Sequence, residues 1–214
     1  MKKWLFLSWI FFVACSTGTG DAYLFVDGLA NTSLSSGIEL YTESTNSATS
    51  YISFQTKKFY ITITDIKIKS TGKDWITLRE ANYSFPDELV RGVNLVNGFS
   101  IKPDDYNVVL IGYRENWIME GEYNSITTNI TNSMRDVKKY AIFYNNINAY
   151  NEISSQFPGN TAMFWNVNFS VFAGDNKYMY IKFDTESSMK GLTNASGNIT
   201  NIFFIPPKIY VELR

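Results

Sequence analysis

The chain has no histidine and a single cysteine among its 214 residues. Without histidine it lacks the side chain most used for proton transfer near neutral pH, which is also the commonest metal ligand. One cysteine forms no internal disulfide and builds no cysteine-rich zinc site. No G-x-S-x-G, P-loop or dinucleotide fingerprint is present either. Catalysis by carboxylates alone, as in a glycosidase-type hydrolase, needs two acids facing each other across a cleft, which a sequence does not display. Charge narrows the field further. Nineteen basic and 20 acidic side chains leave no basic stripe or tail, so nucleic acid is not an expected partner.

The one cysteine stands where it carries a meaning. Lys2 and Lys3 precede an apolar run from Trp4 to Ala14 broken only by Ser8, the layout of a secretory signal. The run falls well short of the roughly 20 residues a membrane-spanning helix needs. It ends in Phe12-Val13-Ala14-Cys15, a stretch that resembles the bacterial lipobox, with Phe12 where an aliphatic residue is usual. The resemblance implies cleavage before Cys15, a lipid on its thiol, and acylation at more than one point. A second chain matters because one alone holds a protein to a bilayer only marginally. Ser16, a non-acidic residue after the cysteine, fits sorting to the outer membrane in Gram-negative cells. The expected location is therefore the bacterial cell envelope, lipid-anchored at the outer membrane or cell surface. Residues 1–14 are read as signal, 15–21 as lipidated cysteine and tether, and 22–214 as one domain.

Cleavage there removes 14 residues and with them Lys2 and Lys3, leaving 200 residues with 17 basic and 20 acidic side chains. That length is ample for a real core. Aromatic content of 16% with abundant Ile, Val, Thr and Tyr favours strands. The pattern predicts a first strand at 22–26 and a weak one around 37–41. Residues 53–70 alternate through Phe59, Ile61 and Ile63, then resume on Ile66 and Ile68 one position out of phase. A slip of one predicts a β-bulge near Asp65. Turn chemistry at 70–74 and a return strand at 75–78 make a hairpin, and 79–92, with Pro86, reads as a connection. Asn97-Gly98 reads as a tight turn. Residues 106–118 read as a central buried strand, its core over 106–111 apolar on both faces. The polar stretch 121–136 reads as a surface loop or insertion. Further strands are expected at 137–144 and 147–150 around Asn145-Asn146. A hairpin is expected from 163–172 and 178–183, and a closing strand at 201–213, where Pro206-Pro207 implies an edge or bulge. Eight to ten strands at short spacing predict an all-β fold, a Greek-key β-sandwich or a Greek-key barrel.

Several of these segments, FYITITDIKIKSTGKDWITL, VNLVNG and IKPDDYNVVLIGY, followed by FSVFAGDNKYMYIKFDTESSM and FFIPPKIYVEL, are similar to the bacterial secreted family known as domain of unknown function 4382. QFPGN at 156–160 matches the loop between its halves. The chain departs from the family at Lys102-Pro103-Asp104-Asp105, where a glycine is usual, and in the stretch 121–136. The resemblance implies a transthyretin-like sandwich and no assigned activity.

Candidate site residues are few. No catalytic residue is assigned, and no cofactor is expected. Asp104, Asp105 and Asn107 offer hard oxygen ligands for calcium, although Asp before a strand also serves local hydrogen bonding. Tyr113, Trp117 and Tyr123 offer an aromatic platform for a sugar or peptide, although aromatics in such a chain also fill cores. Sequons at Asn31, Asn82, Asn129, Asn168, Asn194 and Asn198 follow from an asparagine-rich composition. The expected function is a non-enzymatic binding or interaction module with a protein or carbohydrate ligand, held to the membrane through Cys15. A pilus-like structural subunit is the alternative, and a carboxylate-based hydrolase the remote one.

Overall fold

The computed structural model describes residues 20–30, 36–39, 51–81, 87–132, 137–186, 188–204 and 207–214. The signal-like run, Cys15, Asn31, Asn82, Pro86 and Pro206 lie outside them. In chain order the strands are β1 (Ala22–Leu29), β2 (Ile38–Glu39), β3 (Tyr51–Ser53), β4 (Gln55–Lys69), β5 (Ile76–Glu80) and β6 (Asp87–Glu88). Next come β7 (Val93–Ile101), β8 (Asp104–Tyr106), β9 (Val108–Tyr123), β10 (Ile126–Asn132) and β11 (Lys138–Tyr144). One short helix, α1 (Ile147–Asn151), precedes β12 (Thr161–Phe164), β13 (Phe169–Val171), β14 (Asn176–Asp184), β15 (Met189–Thr193), β16 (Ile199–Phe204) and β17 (Lys208–Leu213). No helix among the described residues is long and apolar enough to cross a membrane.

The strands form an all-β sandwich. One sheet runs β2-β17-β14-β1-β7, and the other runs β12-β11-β9-β4-β5, with β10 also on β9 and β6 on β4. Two smaller groups, β13-β8 and β16-β15-β3, complete the fold. Period-two alternation places Leu24, Val26, Met179, Ile181 and Val211 on the inner face of the first sheet. Phe59, Ile61, Ile63, Val109, Ile111 and Phe143 oppose them from the second. Phe59 of β4 and Phe183 of β14 meet with ring centroids 5.6 Å apart. Trp165 is buried with them, and its indole N–H donates to the Val211 carbonyl at 2.9 Å. Each such side chain contributes about 1.5–3 kcal/mol by leaving water.

The doubly apolar start of β9 has its explanation in a second, smaller core. Val109 and Ile111 face the sandwich, whereas Val108 and Leu110 face outward and pack with Ile142, Ala149 and Ile153 beneath α1. That helix replaces the strand expected at 147–150. The Asn146 side chain caps it, its Oδ1 accepting from the Asn148 amide at 2.9 Å.

Four other expectations change. Within the stretch 121–136, residues 121–132 are not a loop: β9 continues to Tyr123 and returns as β10, through Asn124 and Ser125 at positive φ of 47° and 64°, and 133–136 lie outside the described residues. Its Thr and Asn content hides a strand exposed at a sheet edge. Asn97-Gly98 is not a turn but lies within β7, where Leu24 opposes Phe99 and Val26 opposes Val96. Two residues of β7, Asn97 and Gly98, there stand against one of β1, Phe25, and Gly98 takes the left-handed conformation that a bulge of this kind requires. The expected 163–172/178–183 hairpin dissolves, because β13 pairs with β8 while β14 runs parallel to β1. The closing strand divides into β16, ending at Phe204, and β17, starting at Lys208, which belong to different sheets.

The slip near Asp65 is present. Ile63 of β4 opposes Tyr113 of β9 and Asp65 opposes Gly112, so two residues on one strand face one on the other. The extra residue aims Asp65 across β9. A Cβ on Gly112 would lie 2.5 Å from Asp65 Oδ2 and 2.8 Å from Thr64 Oγ1, so glycine leaves the passage open. On the far side, Lys138 of β11 brings its Nζ to 2.5 Å from Oδ2 in an ion pair. Lys67 flanks Oδ1 at 3.7 Å. Burial works against the Lys138 charge, but Asp65 and Tyr140 outweigh it and hold the ammonium above the usual lysine pKa. Its contribution is therefore present through neutral pH and lost only as pH rises past that raised value.

Gly112→Ala is expected to cost about 1–3 kcal/mol by overpacking this passage. In an Asp65→Ala background the same substitution should cost less than half as much. Equal costs in both backgrounds, measured by urea unfolding, would contradict the strap.

Candidate functional site

A cleft forms where two hairpins end side by side. The first is β9–β10, whose two-residue Asn124-Ser125 connection has the positive φ values of a type I′ turn. The second is β15–β16, closed by an asparagine-centred turn. There Asn194 Oδ1 accepts from the amides of Ser196 at 3.0 Å and Asn198 at 2.9 Å, and Gly197 takes a φ of 79°.

The floor is set by how β4 enters the large sheet. β3 pairs with β15, the chain crosses at Phe54, whose amide donates to the Met189 carbonyl at 3.0 Å, and β4 then joins β9. A Cβ on Gly121 would lie 2.5 Å from Met189 Sδ and 3.0 Å from the Phe54 Cβ. That close approach seats the small sheet on the end of the large one. It also sets Phe54 against Tyr123, with ring centroids 5.9 Å apart.

The result is a cleft of about 520 Å³ with Phe54, Tyr123, Ile126, Ile199 and Ile202 as its apolar part. Asn124, Thr127, Thr128, Gly197 and Asn198 line the rest. The volume is that of a small-ligand pocket. Apart from the Tyr123 phenol, no lining side chain is ionisable, so the cleft offers hydrogen bonds and apolar contact but no acid, base or nucleophile pair.

The aromatic candidates separate. Tyr113, Trp117 and Tyr123 share one face of β9, at even spacing along the strand. Tyr113 and Trp117 lie between the sheets, 4% and 8% exposed, and form no platform. Burial, with Glu115 nearby, holds the Tyr113 phenol far above its ordinary pKa. Tyr123, at the strand's end, alone of the three lines the cleft.

The calcium candidates do not converge on a common point. Asp104 Oδ2 accepts from Ser70 Oγ at 2.6 Å and meets Lys73 Nζ at 2.7 Å. Burial opposes its charge, but these bonds prevail and hold its carboxyl below the usual aspartate pKa. Asp105 Oδ1 accepts from Ser170 Oγ at 2.5 Å. Asn107 Oδ1 accepts from Thr71 Oγ1 at 2.8 Å, while its Nδ2 donates to Asn145 Oδ1 at 3.0 Å. Each ties the β4–β5 turn or β13 to the β8 region. Among the described residues no group of three or more His, Cys, Asp or Glu side chains is arranged to hold a metal. The sequon asparagines Asn129, Asn168, Asn194 and Asn198 are exposed, the last two at the rim of the cleft or in its adjoining turn.

Sequence reasoning missed Phe54, Ile126, Ile199 and Ile202. The available signal was Ile126, an isolated large hydrophobe in a polar stretch, which is 57% exposed. Comparison with protein families, curated proteins and solved structures finds no match to this chain.

Ser125 holds a left-handed conformation that costs a non-glycine residue roughly 1–2 kcal/mol. Ser125→Gly, giving Asn-Gly at this turn, should raise stability by about 1 kcal/mol, or about 2–4 °C in melting temperature. An unchanged or lower melting temperature in calorimetry would count against the turn geometry.

Proposed function

We propose that the protein is a lipid-anchored module of the bacterial cell envelope that binds its ligand, without catalysis, in the cleft between the β9–β10 and β15–β16 hairpins. The observation that carries the binding half is the lining: apolar side chains and neutral hydroxyl and amide groups in a preformed recess. The chemistry favours an uncharged ligand, because no charged side chain of the lining offers an ion pair. The carboxylates elsewhere support this reading. Asp65, Glu120, Asp104 and Glu152 each have a lysine partner, which commits them to holding strands and turns together. The anchoring half rests on Cys15, the chain's only cysteine, at the end of the apolar run. The likeness to domain of unknown function 4382 supports an extracytoplasmic role and adds no activity.

A second reading, a pilus-like subunit, is favoured by one feature of the first sheet. Its N-terminal strand β1 is seated between β14 and β7, so withdrawing it opens a groove bordered by two strands. A polymer-forming protein lacking residues 22–29 should associate in a concentration-dependent way and be restored to a monomer by a synthetic β1 peptide. A truncated protein that stays monomeric would remove this reading.

For anchoring, metabolic labelling with an alkyne fatty acid should mark the wild type and not Cys15→Ala; equal labelling of both would refute the lipid assignment. For the cleft, neutral glycans, short uncharged peptides and fatty alcohols can be screened by thermal shift. A compound that stabilises the wild type should lose at least tenfold in affinity for Ile126→Arg, whose exposed position leaves the core untouched. Undiminished affinity would place binding elsewhere.

A further inference from the structure

Residues Ile126, Thr127 and Thr128 of β10 all line the cleft. Successive strand residues point to opposite faces, so three in a row border a common space only along the strand's edge. Across the cleft, Ile199 and Ile202 of β16 reach it from one face of the small sheet, because a bulge at Thr200 sets them opposite Thr193 and Gly191 of β15. The cleft therefore lies between the edge of β10 and the β15–β16 hairpin.

That edge of β10 is open among the described residues, where β10 pairs with β9 alone. The hairpin decides which groups of β10 point outward. Across a two-residue connection the flanking pair, Tyr123 and Ile126, is the hydrogen-bonded one, and bonding alternates from there. The backbone N–H and C=O of Thr127, Asn129 and Thr131 thus point away from β9. At roughly 3.3 Å per residue the edge of β10 is about 23 Å long.

β10 carries none of the devices that keep an edge from pairing. ITTNITN contains no charge and no proline, and its register with β9 is unbroken. Other edges are blunted: β5 carries Arg79 and Glu80, and β7 is broken by two register shifts. An uncharged edge of this length, set over the apolar Phe54 and Tyr123, matches the backbone and alternating side chains of an extended chain. A cleft walled on both sides admits one strand rather than the edge of a second folded domain.

We propose that the cleft takes an extended, uncharged peptide segment of a partner protein, which adds to β10 as a strand. This deepens the cleft assignment above and rests on it. Specificity would come from apolar side chains at alternate positions of the segment, entering against Tyr123, Ile126 and Ile202.

The probe is a panel of seven-residue peptides, acetylated and amidated, alternating Val or Ile with Thr or Asn, read by fluorescence polarisation. Asn129→Pro deletes an N–H directed outward and leaves the β9 ladder intact, a placement that edge strands tolerate. A panel peptide should bind the wild type and lose at least tenfold for Asn129→Pro, with circular dichroism and melting temperature unchanged. Thr127→Pro serves as the second variant should Asn129→Pro fail to fold. Methylating alternate peptide amides should abolish binding for one set and spare the other.

Equal binding to the proline variants, or no binding by any panel peptide, overturns strand addition. If a neutral glycan or fatty alcohol then still binds the wild type and loses affinity for Ile126→Arg, the cleft assignment survives without it. If Ile126→Arg alters the binding of nothing, the cleft assignment falls as well. Concentration-dependent self-association of the wild type that Asn129→Pro removes would make the occupant a second copy of the chain and overturn the partner assignment.

Discussion

The pairing of β4 with β9 is the constraint on which the rest of the molecule depends. Fifteen residues of one strand run along sixteen of the other, from Gln55 opposite Glu122 to Lys69 opposite Val108. β4 is thereby held along nearly its whole length. The free side of β9 is then shared in sequence, with β11 on residues 108–114 and β10 on residues 117–123. One long strand thus supplies the middle of the sandwich at one end and the wall of the cleft at the other. The cleft inherits its rigidity from a strand whose remainder is core.

Strands this long do not stay flat over such a span, and the bulge at Asp65 shows how the mismatch is absorbed. The slip lets Ile63 and Ile66 both face inward and turns Asp65 over Gly112 toward Lys138. A charge so deeply buried is costly unless it is paired, and the lysines flanking it meet that cost. The pair also links β4 to β11, two strands that share no hydrogen bonds with each other, across the strand between them. Polar strapping on the outer face and apolar packing on the inner face therefore act on the same stretch of β9. Further along that outer face, Lys69 and Glu152 make a similar link, joining β4 to the segment after α1.

Much of the fold was legible because alternation and turn chemistry are local signals. The phase slip between Ile63 and Ile66, the 70–74 turn and the doubly apolar Val108–Ile111 each read correctly. What misled was a signal whose meaning depends on distant partners. Asn97-Gly98 has the chemistry of a tight turn, yet β1 lies alongside and converts it into a bulge. Residues 126–132 look like a loop because an edge strand with little burial needs no apolar face. Residues 147–150 look like a strand, but they close over Val108 and Leu110 as a helix. The site was less legible still. Tyr113, Trp117 and Tyr123 have the same spacing and the same face of β9, and only the coverage above each distinguishes core from cleft.

The sequence by itself determined that the chain is all-β, that histidine and paired-cysteine chemistry are closed to it, and that its lone thiol lies at the end of a signal-like run. These follow from composition and from contacts between residues near one another in the chain. The tertiary structure decided which edges remain open, which aromatic ring reaches a cleft and which carboxylate meets a lysine. Each of those depends on strands far apart in sequence being brought side by side: Phe54 beside Tyr123, β10 across from β16, Asp65 within reach of Lys138. Local pattern carries no record of such neighbours, because a period of two says which face a side chain takes and not what stands opposite it.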